Sequence, residues 1–137
     1  MPLEVSSATL STAGVLLLAV VAVESGGLYM LALVRGRRTA TPFQITFARA
    51  GHAHAGVLVI LSLVVQLYVD AAALTGALGA VARQGIPLAA ILMPAGFFFS
   101  SMGSGRTKPN AFVWLLYAGG VSLAAGAIAL GIGLLTA

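Results

Sequence analysis

The segment from Phe43 to Val69 reads FQITFARAGHAHAGVLVILSLVVQLYV, and it decides how the chain folds. Its apolar run is long enough to cross the hydrocarbon core of a membrane, which takes about 20 residues of α-helix. It also contains both histidines of the protein, His52 and His54. We therefore predict a membrane-spanning helix with a functional site near its middle, because ionisable groups at membrane depth usually serve a function.

The composition points to the same class of protein. Of the 137 residues, 60% are hydrophobic and only 7% are charged, whereas about 25% of a typical soluble domain is charged. We predict an all-α, multi-pass protein of the cell membrane, in contact with the lipid bilayer. The net charge of +4 comes mainly from two short basic segments that orient the chain, so a nucleic-acid partner is not expected.

The apolar runs predict a single four-helix transmembrane domain over residues 1–137. Its expected spans are residues 10–34, 43–69, 86–102 and 111–135, and the segment 70–85 is expected to be a loop with a short interfacial helix. Basic residues cluster in the two turns on one side of the membrane: Arg35, Arg37, Arg38, Arg106 and Lys108. Because such residues favour the cytoplasmic side, both termini are expected to be non-cytoplasmic.

His52 and His54 should serve different neighbours. Residues two apart on an α-helix point about 200° from each other, so these two imidazoles cannot hold one small ion together. The small residues around them, Gly51, Ala53 and Gly56 among them, permit close approach of another helix or of a flat cofactor. The alternative is that each histidine only hydrogen-bonds a neighbouring helix.

A third ionisable residue shares the depth of the histidines. Counted back from Arg35, Glu24 lies roughly 16 Å from the basic end, and the two histidines, counted on from Pro42, lie at about the same depth. This common layer makes contact between Glu24 and one imidazole an expectation to be tested. Glu24 is also the candidate proton-exchanging residue of the chain.

The stretch Arg-Ala-Gly-His-Ala-His-Ala-Gly, residues 49–56, resembles one found in uncharacterised small bacterial membrane proteins with four helices, which implies no activity. The His-x-His pair also resembles the helix of haem-copper oxidase subunit I that ligates a haem from each face. That resemblance implies haem ligation by His52 and His54. The chain has no adjacent His-His pair for a copper site, so oxygen reduction by this chain alone is not expected.

The leading hypothesis is an integral membrane protein that binds haem b and transfers electrons. Its iron would be ligated between protomers, by His52 of one copy and His54 of the next. Copper or zinc bound by the same histidines is the alternative cofactor.

Two other functions remain open. One is a small proton-coupled transporter or ion pathway that uses Glu24, since the chain resembles small multidrug exporters in having four short helices and a glutamate in the first. The other is an accessory subunit of a membrane complex. The polar residues cannot form a Ser-His-Asp or paired-carboxylate site, so hydrolysis is not expected. The sequence leaves open whether the protein is an enzyme, and redox chemistry is the class that it allows.

We also expect a homo-oligomer. A protomer of this size offers little interior for a carboxylate, two imidazoles and a cofactor, and a histidine facing lipid would be costly. Rows of small residues in the last span, such as Ala118, Ser122 and Gly126, favour close packing on partner helices. A ring would satisfy both histidines in every copy, so a trimer is favoured and a dimer is the alternative.

Overall fold

The computed structural model describes residues 4–137, and in this part of the chain it contains four long helices and no strand. These are α1 (Ser7–Val34), α2 (Pro42–Ala71), α3 (Gly76–Ser100) and α4 (Trp114–Thr136), the last preceded by a 3-10 turn at Ala111–Val113. All four are long and apolar enough to cross a membrane. The predicted all-α fold of a multi-pass membrane protein is confirmed; the side on which the termini lie stays a prediction. The first three residues of the expected domain lie outside the described part.

Local sequence explains where the first two helices begin. The Ser6 side chain caps α1 by accepting from the Thr9 amide. Thr41 caps α2 in a reciprocal arrangement with Gln44, and Pro42 occupies the first helical turn, where its missing N–H costs nothing. These caps provide hydrogen-bond partners for the first backbone N–H groups of each helix, which have none within the helix. Unpaired backbone groups are costly in a membrane.

The start of the third helix differs most from expectation. α3 begins at Gly76 rather than near residue 86, so most of the expected loop is helical. The α2–α3 connection is therefore very short, and Gly79 makes it feasible: a methyl group on Gly79 would lie 2.5 Å from the carbonyl oxygen of Leu74. The glycines of this stretch suggested a loop, but here they permit close backbone approach.

The helices pack in the order in which they occur along the chain. Helix α1 packs on α2, α2 on α3, and α3 on α4, and among the described residues α1 makes no backbone contact with α3 or α4. The buried apolar core lies between the last three helices and comprises Val65, Val69, Ala82, Ile86, Ala129 and Leu130. Helix α1 thus stands to one side, with an open groove between it and α3.

The small residues of α4 pack within the chain. A methyl group on Gly85 would lie 2.6 Å from the Cα of Gly126, and the Ser122 hydroxyl donates to the Gly85 carbonyl at 2.7 Å. Gly119 similarly accommodates Met93. The predicted close helix contact is therefore present, but its partner is α3 of the same chain and not another protomer.

Candidate functional site

His52 lies where α2 faces α1. A methyl group built on Gly26 would stand 3.1 Å from Nδ1 of the imidazole, and one on Gly27 would stand 3.5 Å from Cε1. A methyl group at position 26 would therefore crowd the ring, whereas one at position 27 would be in ordinary van der Waals contact with it. The half-buried imidazole makes no hydrogen bond with any residue from 4 to 137, although imidazole nitrogens inside a membrane protein normally have partners.

The groove beside His52 widens into a cavity of about 1100 Å³ between α1, α2 and α3. Its walls are mostly small or apolar, and they include Ala22, Ala48, Ala55, Ala90, Pro94 and Phe98. The cavity exists because α1 does not close onto α3. Its size matches the upper range of sites for small molecules and cofactors, which is roughly 300–1,000 Å³.

One positively charged side chain and several polar groups line the end of the cavity near the two basic turns. Arg38, Thr41 and Gln44 line this end, together with the segment 101–105. The Gln44 amide donates to the carbonyls of Ser101 at 2.9 Å and Gly103 at 2.7 Å, and the Thr41 hydroxyl donates to the Arg106 carbonyl. These bonds hold the two basic turns together at one end of the molecule. The cavity therefore has an apolar interior and a cationic mouth.

His54 lies outside this cavity. Its Nδ1 is 2.7 Å from the carbonyl oxygen of Ala50 one turn earlier, and its ring centroid is 4.9 Å from that of Phe97 in α3. Because a carbonyl only accepts, Nδ1 carries the proton in this contact, which leaves the lone pair of Nε2 free. The two histidines serve different neighbours, as their spacing predicted, and the structure does not bring them into one site.

Glu24 also lies away from the cavity. Its side chain is exposed on α1, and it makes no hydrogen bond or ion pair with a described residue. The expected Glu24–imidazole contact is not formed within the chain. The α1 residues next to His52 are Gly26 and Gly27 instead, because the carboxylate projects from a different side of the helix.

A second, smaller cavity of about 370 Å³ continues the groove toward the opposite end of the helices. Its polar lining residues are Ser11, Thr12 and Gln84. The two cavities share Ala19, Val59 and Ala90 as lining residues, so they adjoin one another along α1. The groove thus extends along most of the length of α1.

A polar network at that opposite end was not predicted from the sequence. Arg83 forms an ion pair with Asp70, with Nη2 2.6 Å from Oδ1, and its Nη1 donates to Thr9 at 2.6 Å and to Gln66 at 3.1 Å. Asp70 also accepts from the backbone amide of Ser6 at 2.8 Å. The network joins α1, α2 and α3 near the beginning of α1.

A proline in α3 ties this network to the backbone. Pro87 has no N–H for the carbonyl of Arg83 four residues earlier. The side-chain amide of Gln66, which is fully buried, donates to that carbonyl at 2.9 Å. Gln66 and Asp70 lie on one stripe of α2, and this polar stripe was the signal in the sequence that α2 needs a polar partner, which the structure shows to be Arg83.

No group of three or more His, Cys, Asp or Glu side chains suitable for a metal ion occurs within residues 4–137. His52 and His54 thus stand without carboxylate or further imidazole ligands from their own chain.

Comparison with known proteins identifies one family. The family described as "Domain of unknown function (DUF8059)" matches residues 6–130, which cover all four helices except the last residues of α4. No curated protein and no solved structure gives a significant match. The resemblance to haem-copper oxidase subunit I that the His-x-His pair suggested is therefore not shown.

Proposed function

Because this chain belongs to the DUF8059 family, whose description assigns no activity, we propose a function from its own residues. The protein binds haem b in the large cavity of a multi-pass fold in the cell membrane, with His52 as an iron ligand, and it takes part in electron transfer.

The observation that carries this proposal is the imidazole of His52. It borders a cavity of about 1100 Å³, and it has no hydrogen-bond partner among the described residues. An unpaired polar group at this depth is costly, and a bound iron would give the nitrogen lone pair a partner. The glycine at position 26 leaves room for the ring against α1 at the edge of the groove.

The rest of the cavity suits the shape and charge of haem. The porphyrin ring is flat and apolar, like the walls formed by Ala48, Ala90 and Phe98. Its two propionates are anionic, and Arg38 at the mouth could form charge-assisted hydrogen bonds with them. The chain contains no cysteine, so a haem here would be held without thioether links. Haem supplies one-electron redox chemistry when it is bound.

The second iron ligand stays a prediction. Ligation by His54 of a neighbouring protomer would use Nε2, which is left free by the contact of Nδ1 with the Ala50 carbonyl. A backbone carbonyl on Nδ1 is a common partner of ligating histidines, because it fixes the tautomer and the ring orientation. Copper or zinc on these histidines would need ligands from another copy.

Absorbance spectroscopy tests the proposal directly. Protein purified in mild detergent from haem-replete cells should show a Soret band, and His52→Ala should lose it while keeping its helical circular dichroism. His54→Ala, the matched change on the same helix outside the cavity, should retain bound haem. A colourless wild-type preparation that also fails to bind added haemin would refute haem binding, and metal analysis of that sample would test copper and zinc.

The two adjoining cavities along α1 favour transport as a second candidate. The two cavities meet at Ala19, Val59 and Ala90, with polar side chains toward both ends, which is the arrangement that passage along α1 would need. Glu24 would then exchange protons from the outer side of α1. Proton flux into proteoliposomes, followed with a pH-sensitive dye, should fall in Glu24→Gln. Unchanged flux would refute proton-coupled transport through Glu24. An accessory role in a larger complex would instead appear as partners that co-purify.

A further inference from the structure

Two opposite charges are exposed on the membrane-spanning helices without a partner. Glu24 lies on α1 and Arg49 on α2, and both side chains are exposed. Among the described residues, the one ion pair joins Arg83 to Asp70, and neither Glu24 nor Arg49 forms a side-chain hydrogen bond. Charged groups that face lipid at this depth are costly, and they usually pair or face protein.

Neither charge belongs to the site beside His52. Glu24 and Arg49 are absent from the walls of both cavities, which lie on the α3 side of the α1–α2 pair. Each is accompanied on its helix by exposed residues at helical spacing. We call this surface the outer face, and it comprises Leu17, Val21, Glu24, Leu28, Arg49, Ala53 and Ile60.

The two charges lie at compatible depths. At about 1.5 Å per residue, Glu24 is roughly 16 Å from the basic end of α1, and Arg49 is roughly 10 Å from the same end of α2. Because arginine side chains otherwise extend toward water, the guanidinium of Arg49 would have to turn inward by about one helical turn to reach the depth of Glu24. A carboxylate and a guanidinium on two facing helices could therefore meet within the membrane.

Helix α1 is also the least covered helix of the protein. In its most apolar window only 6% of residues are buried, against 28–33% in the other three helices. Among the described residues its backbone approaches only that of α2, and its hydrogen bond with α3 is the one that Arg83 donates to Thr9. A surface with two opposite unpaired charges and a mostly uncovered helix fits a protein partner better than lipid.

We propose that a second copy of this chain covers the outer face, so that Glu24 of each copy pairs with Arg49 of the partner subunit. Both charges lie on the same face, so a twofold axis forms the pair twice and satisfies all four charges at once. The surface is self-complementary in charge, which identifies the occupant as another copy. This contact does not require any ligand in the cavity.

Charge reversal provides a decisive experiment. Glu24→Arg carries two positive charges on the outer face, and Arg49→Glu carries two negative ones, so each variant alone should run at the mass of one copy in mild detergent. When the two variants carry different affinity tags and are co-expressed, they should co-purify as a mixed dimer, because their faces are then complementary. Glu4→Arg makes the same change of charge before α1, and it should remain dimeric.

Mutual rescue separates this interface from the other arrangements. If Glu24 and Arg49 paired within one chain, co-expression of the two variants would give no mixed dimer. Each variant has lost one of the two charges, and the other chain could not replace it. A wild-type protein that has the mass of one copy would overturn the proposal. A mass of three copies would overturn the twofold axis. Helical circular dichroism of each single variant checks that loss of association is not loss of folding, and the mixed dimer tests the contact even if a single variant is poorly folded.

Discussion

The imidazole of His52 lies against the backbone of Gly26, so closely that a methyl group on that glycine would stand 3.1 Å from Nδ1. This relationship sets how α1 sits on α2, because the ring fills the space that a side chain at position 26 would take. It also keeps the imidazole at the edge of the large cavity. The contact of Gly26 and Gly27 in α1 with His52 in α2 thus fixes both the packing of the two helices and the position of the imidazole.

A side chain at position 26 should displace the imidazole. In Gly26→Val, the added atoms would occupy the space of the His52 ring, and we expect the protein to fold but to lose most of its haem absorbance. Gly14→Val is the matched control on α1, since a methyl group at Gly14 meets nothing within 4 Å. Equal Soret bands in both variants would contradict a role for the Gly26–His52 contact.

The two histidines should differ in their effect on the bound iron. His52→Ala removes the side chain that borders the cavity, so haem should be lost. On the proposal that His54 of a neighbouring protomer is the second ligand, His54→Ala should leave haem bound by one protein imidazole, and the change of spin state should be visible by absorbance or electron paramagnetic resonance. An unchanged spin state in His54→Ala would show that His54 is not a ligand.

Breaking the Arg83–Asp70 pair should destabilise the fold. The side chains are 16% and 5% exposed, and removal of one partner from a buried ion pair typically costs about 3–5 kcal/mol. Reversible unfolding in mixed micelles should show a loss of this order in Arg83→Met. The double variant Arg83→Met with Asp70→Leu should lose less, because no charge is then left unpaired. Equal losses in the single and double variants would argue against a paired charge.

The α3–α4 contact should be sensitive to a single methyl group. In Gly85→Ala the new carbon would lie 2.6 Å from the Cα of Gly126, so the two backbones must separate. Overpacking of this kind costs about 1–3 kcal/mol, and the Ser122–Gly85 hydrogen bond would be strained as well. The same unfolding assay should show little change in Gly131→Ala, where a methyl group meets nothing within 4 Å.

The sequence by itself determined the elements of this protein. Apolar runs of sufficient length gave four membrane-spanning helices, the Thr41-Pro42 pair gave the start of α2, and a spacing of two gave His52 and His54 different neighbours. Each of these follows from short-range physics, namely hydrocarbon thickness, capping and helical periodicity. None of them depends on which helix packs on which.

The tertiary structure decided how those elements meet. It placed Arg83 in α3 beside Asp70, it left the cavity between α1 and α3, and it directed Glu24 away from the histidines that share its depth. Rotation of each helix about its axis is set by contacts with other helices, here by Gly26 against His52 and by Gly85 against Gly126. Depth can be counted along a chain, but such rotation depends on residues far apart in sequence, and for this reason only the packed structure shows which side chains face one another.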